Sequence, residues 1–341
     1  MKIRTLALGG LAAAAALSLV ACSASPGASD AAADTDAAGT EAPVTLRVQA
    51  QNSIAAEPLY MGIEEGFFAE EGLEIEVVDL PDIAAATAAL QANKLELAFV
   101  PTISALQMAR QDVPITLIAA SDGINPAAQD ASLEEQRDYT SVGVYTSPGS
   151  GITDIEGLAG AKIAVPELKG QPDGTITSVL HEAGVDTTGI EWMNLGFVPA
   201  LEALKGDQID AAFLVSPFSL EADAEGMARV MNPSVDFYPR GSATTGWAAS
   251  DSWADENAET VAKFQRAIAK SAEWAIDNLE QTKEHVIERA GLKISPDDMP
   301  QSYWPAEIDA DQLAEVDQKL VDIGFFDDPI DVADILTPAA G

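Results

Sequence analysis

The sequence predicts an α/β fold of two similar lobes, each a mainly parallel sheet flanked by helices, and two observations carry that prediction. The first is alternation: from residue 45 to about 280, apolar runs of strand length alternate with helix-patterned segments, as in sheets covered by helices. The second is an internal echo. Residues 89–99 (ALQANKLELAF) return at 203–213 as ALKGDQIDAAF. In each, a helix closes on a small residue, a polar turn follows, an acid opens a strand, and an Ala-Phe pair lies within it. Two lobes built on one plan produce such an echo; chance likeness of two helix-turn-strand units is the plainer alternative.

Strands are expected at 45–50, 73–80, 96–100, 115–120, 142–146, 162–165, 191–197, 210–215 and 244–249, with helices at 83–92, 176–183, 200–205 and 256–278. Ligands of open α/β sheets lie beyond the carboxyl ends of the strands. Pro101-Thr102 and Ser216-Pro217, which follow the two copies of the echo, are therefore expected to face one cleft.

The first forty residues are of another kind. Met1-Lys2-Ile3-Arg4 carries two positive charges, and Leu6 to Val20 carries none, the pattern of a secretory signal peptide over 1–22. The run is too short and alanine-rich for a spanning helix. The only cysteine, Cys22, closes Leu19-Val20-Ala21-Cys22, which resembles a bacterial lipobox, so Cys22 is expected to be acylated and to anchor the chain. A chance thiol beside an ordinary cleavage site is the alternative. With one cysteine no internal disulfide forms. Residues 23–43 are small and polar with four acids, a disordered tether.

The net charge of −37 argues against nucleic acid or an anionic lipid surface as direct partner, and it suits solubility more than recognition. No motif carries chemistry. His181 and His285 stand far apart in helical stretches and read as helix-surface residues, with no metal-ligand spacing around them. Gly149-Ser150-Gly151 lacks the frame of a nucleophile elbow. Neither a cofactor nor a metal is expected, and an enzyme is not expected either, a secreted lipid-anchored enzyme being the runner-up reading.

Residues 57–77 begin with a Pro-started helix, Glu57-Pro58-Leu59-Tyr60-Met61, and run through Gly66-Phe67-Phe68 and Gly72-Leu73 into a strand. This segment resembles a signature of the solute-binding proteins for nitrate, aliphatic sulfonates, taurine and the pyrimidine precursor of thiamine. Residues 152–165 and 203–211 are similar to two further segments of that family, in order. The resemblance implies a type II periplasmic-binding-protein fold. Lobe 1 would take 44–138 plus 241–341 and lobe 2 would take 139–240, with a hinge of two crossings. It also implies an extracytoplasmic, lipid-anchored monomer serving the permease subunits and cytoplasmic ATPase of an ABC importer, with a small oxyanion as ligand or a neutral heteroaromatic as the alternative. One departure stands out: where family members often carry Gly-Ser or Ser-Thr after the strand at 162–165, this chain has Pro166-Glu167-Leu168-Lys169-Gly170-Gln171. That weakens a direct transfer of anion binding.

Cleft residues are expected at the strand ends. Gln51, Asn52 and Ser53 follow the first strand, although Asn52 and Ser53 could equally cap the next helix; Pro58 and Tyr60 of the signature segment are counted with them. Thr102 and Ser104 follow the strand at 96–100. From the second lobe come Lys169, Gln171, Ser216 and Phe218. Trp247 is either a surface for the ligand or a core residue. Arg240 is either an anion clamp or a hinge salt bridge.

Overall fold

The computed structural model describes residues 42–80 and 82–338. The signal peptide expected over 1–22, Cys22 with it, and all but the last two residues of the tether over 23–43 lie outside those residues. The chain first lays down β1 (Val44–Gln49), α1 (Glu57–Glu64), α2 (Phe67–Glu70), β2 (Leu73–Val78), α3 (Ile83–Gln91), β3 (Leu97–Pro101), α4 (Thr102–Arg110) and β4 (Ile115–Ala120). It then crosses to a second set: β5 (Gly143–Thr146), β6 (Lys162–Val165), α5 (Gln171–Glu182), β7 (Glu191–Asn194), α6 (Phe197–Lys205), β8 (Ala211–Leu214), α7 (Phe218–Ala224), β9 (Ala228–Met231) and α8 (Pro233–Phe237). A second crossing leads back through β10 (Thr245–Ser250) to α9 (Asp251–Glu256), α10 (Ala258–Asp277), α11 (Leu279–Ala290) and α12 (Ala310–Asp322).

Two five-stranded sheets result, ordered β2-β1-β3-β10-β4 and β7-β6-β8-β5-β9. The plan is the same in both. The strand that enters from the other sheet, β10 or β5, runs antiparallel to both its neighbours, while β1 pairs parallel with β2 and β3, and β6 with β7 and β8. The parallel βαβ units need covering helices, and the chain supplies them.

The echo in the sequence is an echo in hydrogen bonds. Asn93 and Asp207, equivalent positions, both take positive φ, 53° and 49°, a conformation that Asn and Asp tolerate better than most residues. The amides that follow them repeat the same closure: Lys94 N–H donates to Ala89 O and Gln208 N–H to Ala203 O, each at 2.9 Å. The acids that open the strands act alike as well. Glu96 accepts from the Arg47 amide at 2.7 Å and Asp210 from the Lys162 amide at 2.8 Å, while their own N–H groups donate to Arg47 O and Lys162 O. Glu96 thus pins β3 to β1, and Asp210 pins β8 to β6.

Several expected elements have different limits. The strand expected over 191–197 stops at Asn194, because Gly196 is the extended residue before α6 and Pro199 fits that helix's first turn. The helix expected from 176 begins at Gln171, where Pro172 and Asp173 make a good first turn. The long helix expected over 256–278 is Ala258–Asp277 and is separated from α9 at Asn257. β9 was not expected; its four residues, Ala-Arg-Val-Met, have no alternating pattern to mark them.

Each sheet has its own core. In the first, Leu46, Val48, Phe99 and Trp247 pack with Phe264 of α10, and Trp247 meets Phe99 and Phe264 edge-on at 5.8 and 6.0 Å. In the second, Ile163, Val165, Ile176, Leu180 and Phe213 gather around Val144. A third cluster joins them: Ile103 and Leu106 of α4, Phe237 and Tyr238 at the end of α8, and Leu313, Val316 and Leu320 of α12. Among the described residues no helix is long and apolar enough to cross a membrane.

Candidate functional site

The segments that follow β3 and β6 meet, and one contact shows how. Ser104, two residues into α4, donates its hydroxyl to Glu167 Oε1 at 3.0 Å; Glu167 lies just beyond β6. The hydrogen bond runs from the end of the first sheet to the end of the second, so the start of α4 and the segment between β6 and α5 share one interface.

On the second lobe this interface is the N-terminus of α5, and the chain's own acids occupy it. Asp173 accepts from the Lys169 and Gly170 amides at 2.8 and 2.9 Å. The Gln171 amide favours the charged form of Glu167. The free N–H groups of a helix start attract anions, and here two carboxylates take that place. Burial pushes both acids above the ordinary carboxylate range, against the hydrogen bonds that favour their charged forms. Lys169 holds positive φ, 62°, and its Nζ lies 5.2 Å from the Phe325 ring. Gln171 opens the helix.

On the first lobe Thr102 is fully buried; its hydroxyl meets Tyr238 OH at 3.2 Å and Thr244 O at 3.0 Å. Nearby, Asp122 accepts from Thr244 Oγ1 at 3.3 Å, and burial pushes its carboxyl up to about 7. Ser53 stands at the N-cap position of a short 3-10 turn but makes no capping bond with its side chain. Asn52 does not cap either: its Oδ1 accepts from Arg289 Nη1. Gln51 is exposed. Pro58 is buried in the first turn of α1, and Tyr60 lies under the Arg289 guanidinium, 3.7 Å from its centre.

Other expected residues stand elsewhere. Trp247 is 0% exposed in β10 and belongs to the core, since a residue on the buried face of a central strand cannot reach a ligand at the strand ends. Arg240 is exposed and pairs with Asp130 at 2.6 Å, a surface ion pair beside the second crossing. Phe218 stacks on Phe197 with centroids 5.7 Å apart, and Ser216 precedes it, half-buried. His181 is exposed, but His285 is no ordinary surface residue: Nδ1 meets Glu57, a fully buried acid, and Nε2 lies 3.0 Å from Glu64. Reading the sequence missed Glu167, Asp173 and Asp122 as members of the site. The first two had a signal, an acid on each side of Gly170 just before a helix, while Asp122 had none.

Two surface concavities lie apart from this interface. The larger, about 670 Å³, is lined by Leu117, Ala119, Gln265, Glu307 and Pro338, beside the edge of β4 where Leu336 and Thr337 pair with Leu117. Among the described residues no cluster of three His, Cys, Asp or Glu could hold a metal ion.

Comparison with known proteins places this geometry. The model of the family described as NMT1/THI5 like matches residues 54–129 and 131–282. The chain belongs to the NMT1/THI5-like family. It is 25% identical over 224 residues to a formylaminopyrimidine-binding protein of Halalkalibacterium halodurans; the match takes in 64% of this chain and spans 62% of that protein's length. Among solved structures, the ligand-binding component of an ABC-type import system from Staphylococcus aureus superposes with a TM-score of 0.69 at 11% identity, covering 86% of this chain and 97% of that one. The periplasmic aliphatic sulphonate-binding protein of Escherichia coli gives 0.66 at 16%, with the same coverage. A desulfurization enzyme shares the fold as well, with a TM-score of 0.58 at 15% identity over 86% of this chain and 96% of that one. The fold is therefore the periplasmic-binding-protein fold.

Proposed function

We propose that this protein captures a small organic solute between its two lobes outside the cytoplasm and delivers it, chemically unchanged, to the permease of an ABC importer. The observation that carries the reading is the Ser104–Glu167 bond: polar residues from both lobes meet at the strand ends, where a solute would take their place. Lobes of 44–138 plus 241–341 and 139–240, a hinge at the two crossings, a monomeric state and acylation of Cys22 belong to the same reading. A Cys22→Ala chain is expected in the medium or left uncleaved; a variant cleaved normally and still bound to membranes contradicts the anchor.

On ligand class, the resemblance in sequence allows both an oxyanion and a neutral heteroaromatic. The acids at the α5 N-terminus favour the second, because Asp173 and Glu167 already take up amides an anion would need and would repel it. Glu167 is suited to accept from amino groups. The relative that binds formylaminopyrimidine supports the same side. Calorimetry with formylaminopyrimidine, an alkanesulfonate and nitrate tests it. For an amino-heteroaromatic, Glu167→Ala is expected to cost on the order of 1.5–3 kcal/mol, the range of a hydrogen bond to a charged group. Binding of nitrate or an alkanesulfonate by the parent, with no binding of formylaminopyrimidine, would decide for the oxyanion instead.

A further inference from the structure

Helix α11 lies mostly beyond the region the family model matches, which ends at residue 282, yet two of its side chains hold the loop that opens the first lobe's half of the cleft. Arg289 donates to Asn52 Oδ1 and to Glu57 Oε2 and covers the face of Tyr60. His285, one turn earlier, meets the other oxygen of Glu57. Between Asn52 and Glu57 the chain is further fixed by Ile54, which packs with Val286 of α11 and with Trp304. The loop after β1 is therefore gripped from one side at three points, all on or beside α11.

We propose that Arg289 is a positioning residue for the ligand loop. Its planar fork bridges Asn52 and Glu57 and so fixes the direction in which Gln51, Asn52 and Ser53 face the cleft. Three features require a residue of this type. Glu57 is 0% exposed, and a carboxylate taken out of water needs paired donors. A guanidinium offers donors in two directions together with a flat face for Tyr60, which an ammonium does not. The Ser53 hydroxyl, on the loop this cluster holds, is buried with no partner among the described residues. His285 supports the same acid from the other side, with Glu64 at 3.0 Å behind it. The charged or titratable groups facing the cluster are Glu57, Tyr60 and Glu64 of α1, Asp79 beyond β2, and His285 with Arg289 of α11. The proposal rests on the reading of the strand ends as a solute cleft, but its first test does not need a solute.

Amide exchange in residues 50–57 of the mature protein, measured for the parent, Arg289→Met and Arg289→Lys, is that test. Arg289→Met is expected to speed exchange in this stretch by about tenfold or more while β6 and β8 stay as protected as in the parent, with Arg289→Lys in between. Unchanged exchange at 50–57, or a rise of equal size in every strand, overturns the proposal; the second result would make Arg289 a general stabiliser. Formylaminopyrimidine then serves as a probe. If the parent binds it, Arg289→Met should weaken binding by at least about tenfold, the size of 1.4 kcal/mol, and unchanged affinity also overturns the role. If the parent does not bind it, the proposed ligand class fails, and exchange still decides on Arg289.

Discussion

Asp122 shows how one side chain at the cleft ties pH to stability. Burial pushes its carboxyl up to about 7, against about 3.9 for an unfolded aspartate. Between those values the folded chain keeps a proton that the unfolded chain has lost, so stability falls as pH rises from about 4 to about 7 and then levels off. Asp122→Asn keeps an acceptor for Thr244 without the charge. It should be more stable than the parent by a margin that widens across that window to on the order of a few kcal/mol. Urea unfolding at pH 5 and pH 8 measures the margin, and a constant gap contradicts the assignment. At this scale the sequence was only partly legible. Ser104 could be placed at the cleft because it follows a strand at fixed spacing. Trp247 and Arg240 were placed there by position alone, and the sheet turned one into the core and the surface paired the other. Asp122 could not be found, because what sets it apart is its surroundings, which come from distant chain.

At the scale of elements, the repeated helix-turn-strand unit was legible down to single hydrogen bonds, since its chemistry is local: a residue able to take positive φ, then an acid three residues later. Asn93→Gly should therefore be neutral or slightly stabilising, while Asn93→Val should cost roughly 1–2 kcal/mol for forcing a branched side chain into positive φ. Thermal unfolding compares the two; equal effects would mean that the turn does not depend on this conformation. Asp173→Ala should likewise cost about 1–2 kcal/mol, the range for a lost helix cap, because it leaves the Lys169 and Gly170 amides without their acceptor. A cost near zero in denaturant titration would show that water replaces the carboxylate freely. β9 was missed for the opposite reason: four residues beside an already formed sheet need no pattern of their own, and tertiary pairing decides them.

For the whole molecule, the common order of the two sheets explains why the proposed cleft draws residues from both halves of the chain. The two crossings, β4 to β5 and β9 to β10, put one antiparallel strand in each sheet. Alternation and echo were enough to expect two such lobes, but not the third cluster in which α4, α8 and α12 pack together; that contact joins segments more than two hundred residues apart and has no local signature. Capture between the lobes requires the Ser104–Glu167 contact to open, admit a solute and close around it, the hinge motion of two-lobed receptors. The most direct test places spin labels at one exposed site per lobe, Lys94→Cys and Glu202→Cys in a chain with Cys22 replaced, and measures the distance distribution with and without a solute that binds. A broad distribution that narrows to one short distance at saturation is the predicted result. A saturated protein whose distribution matches that of the free protein would contradict capture between the lobes.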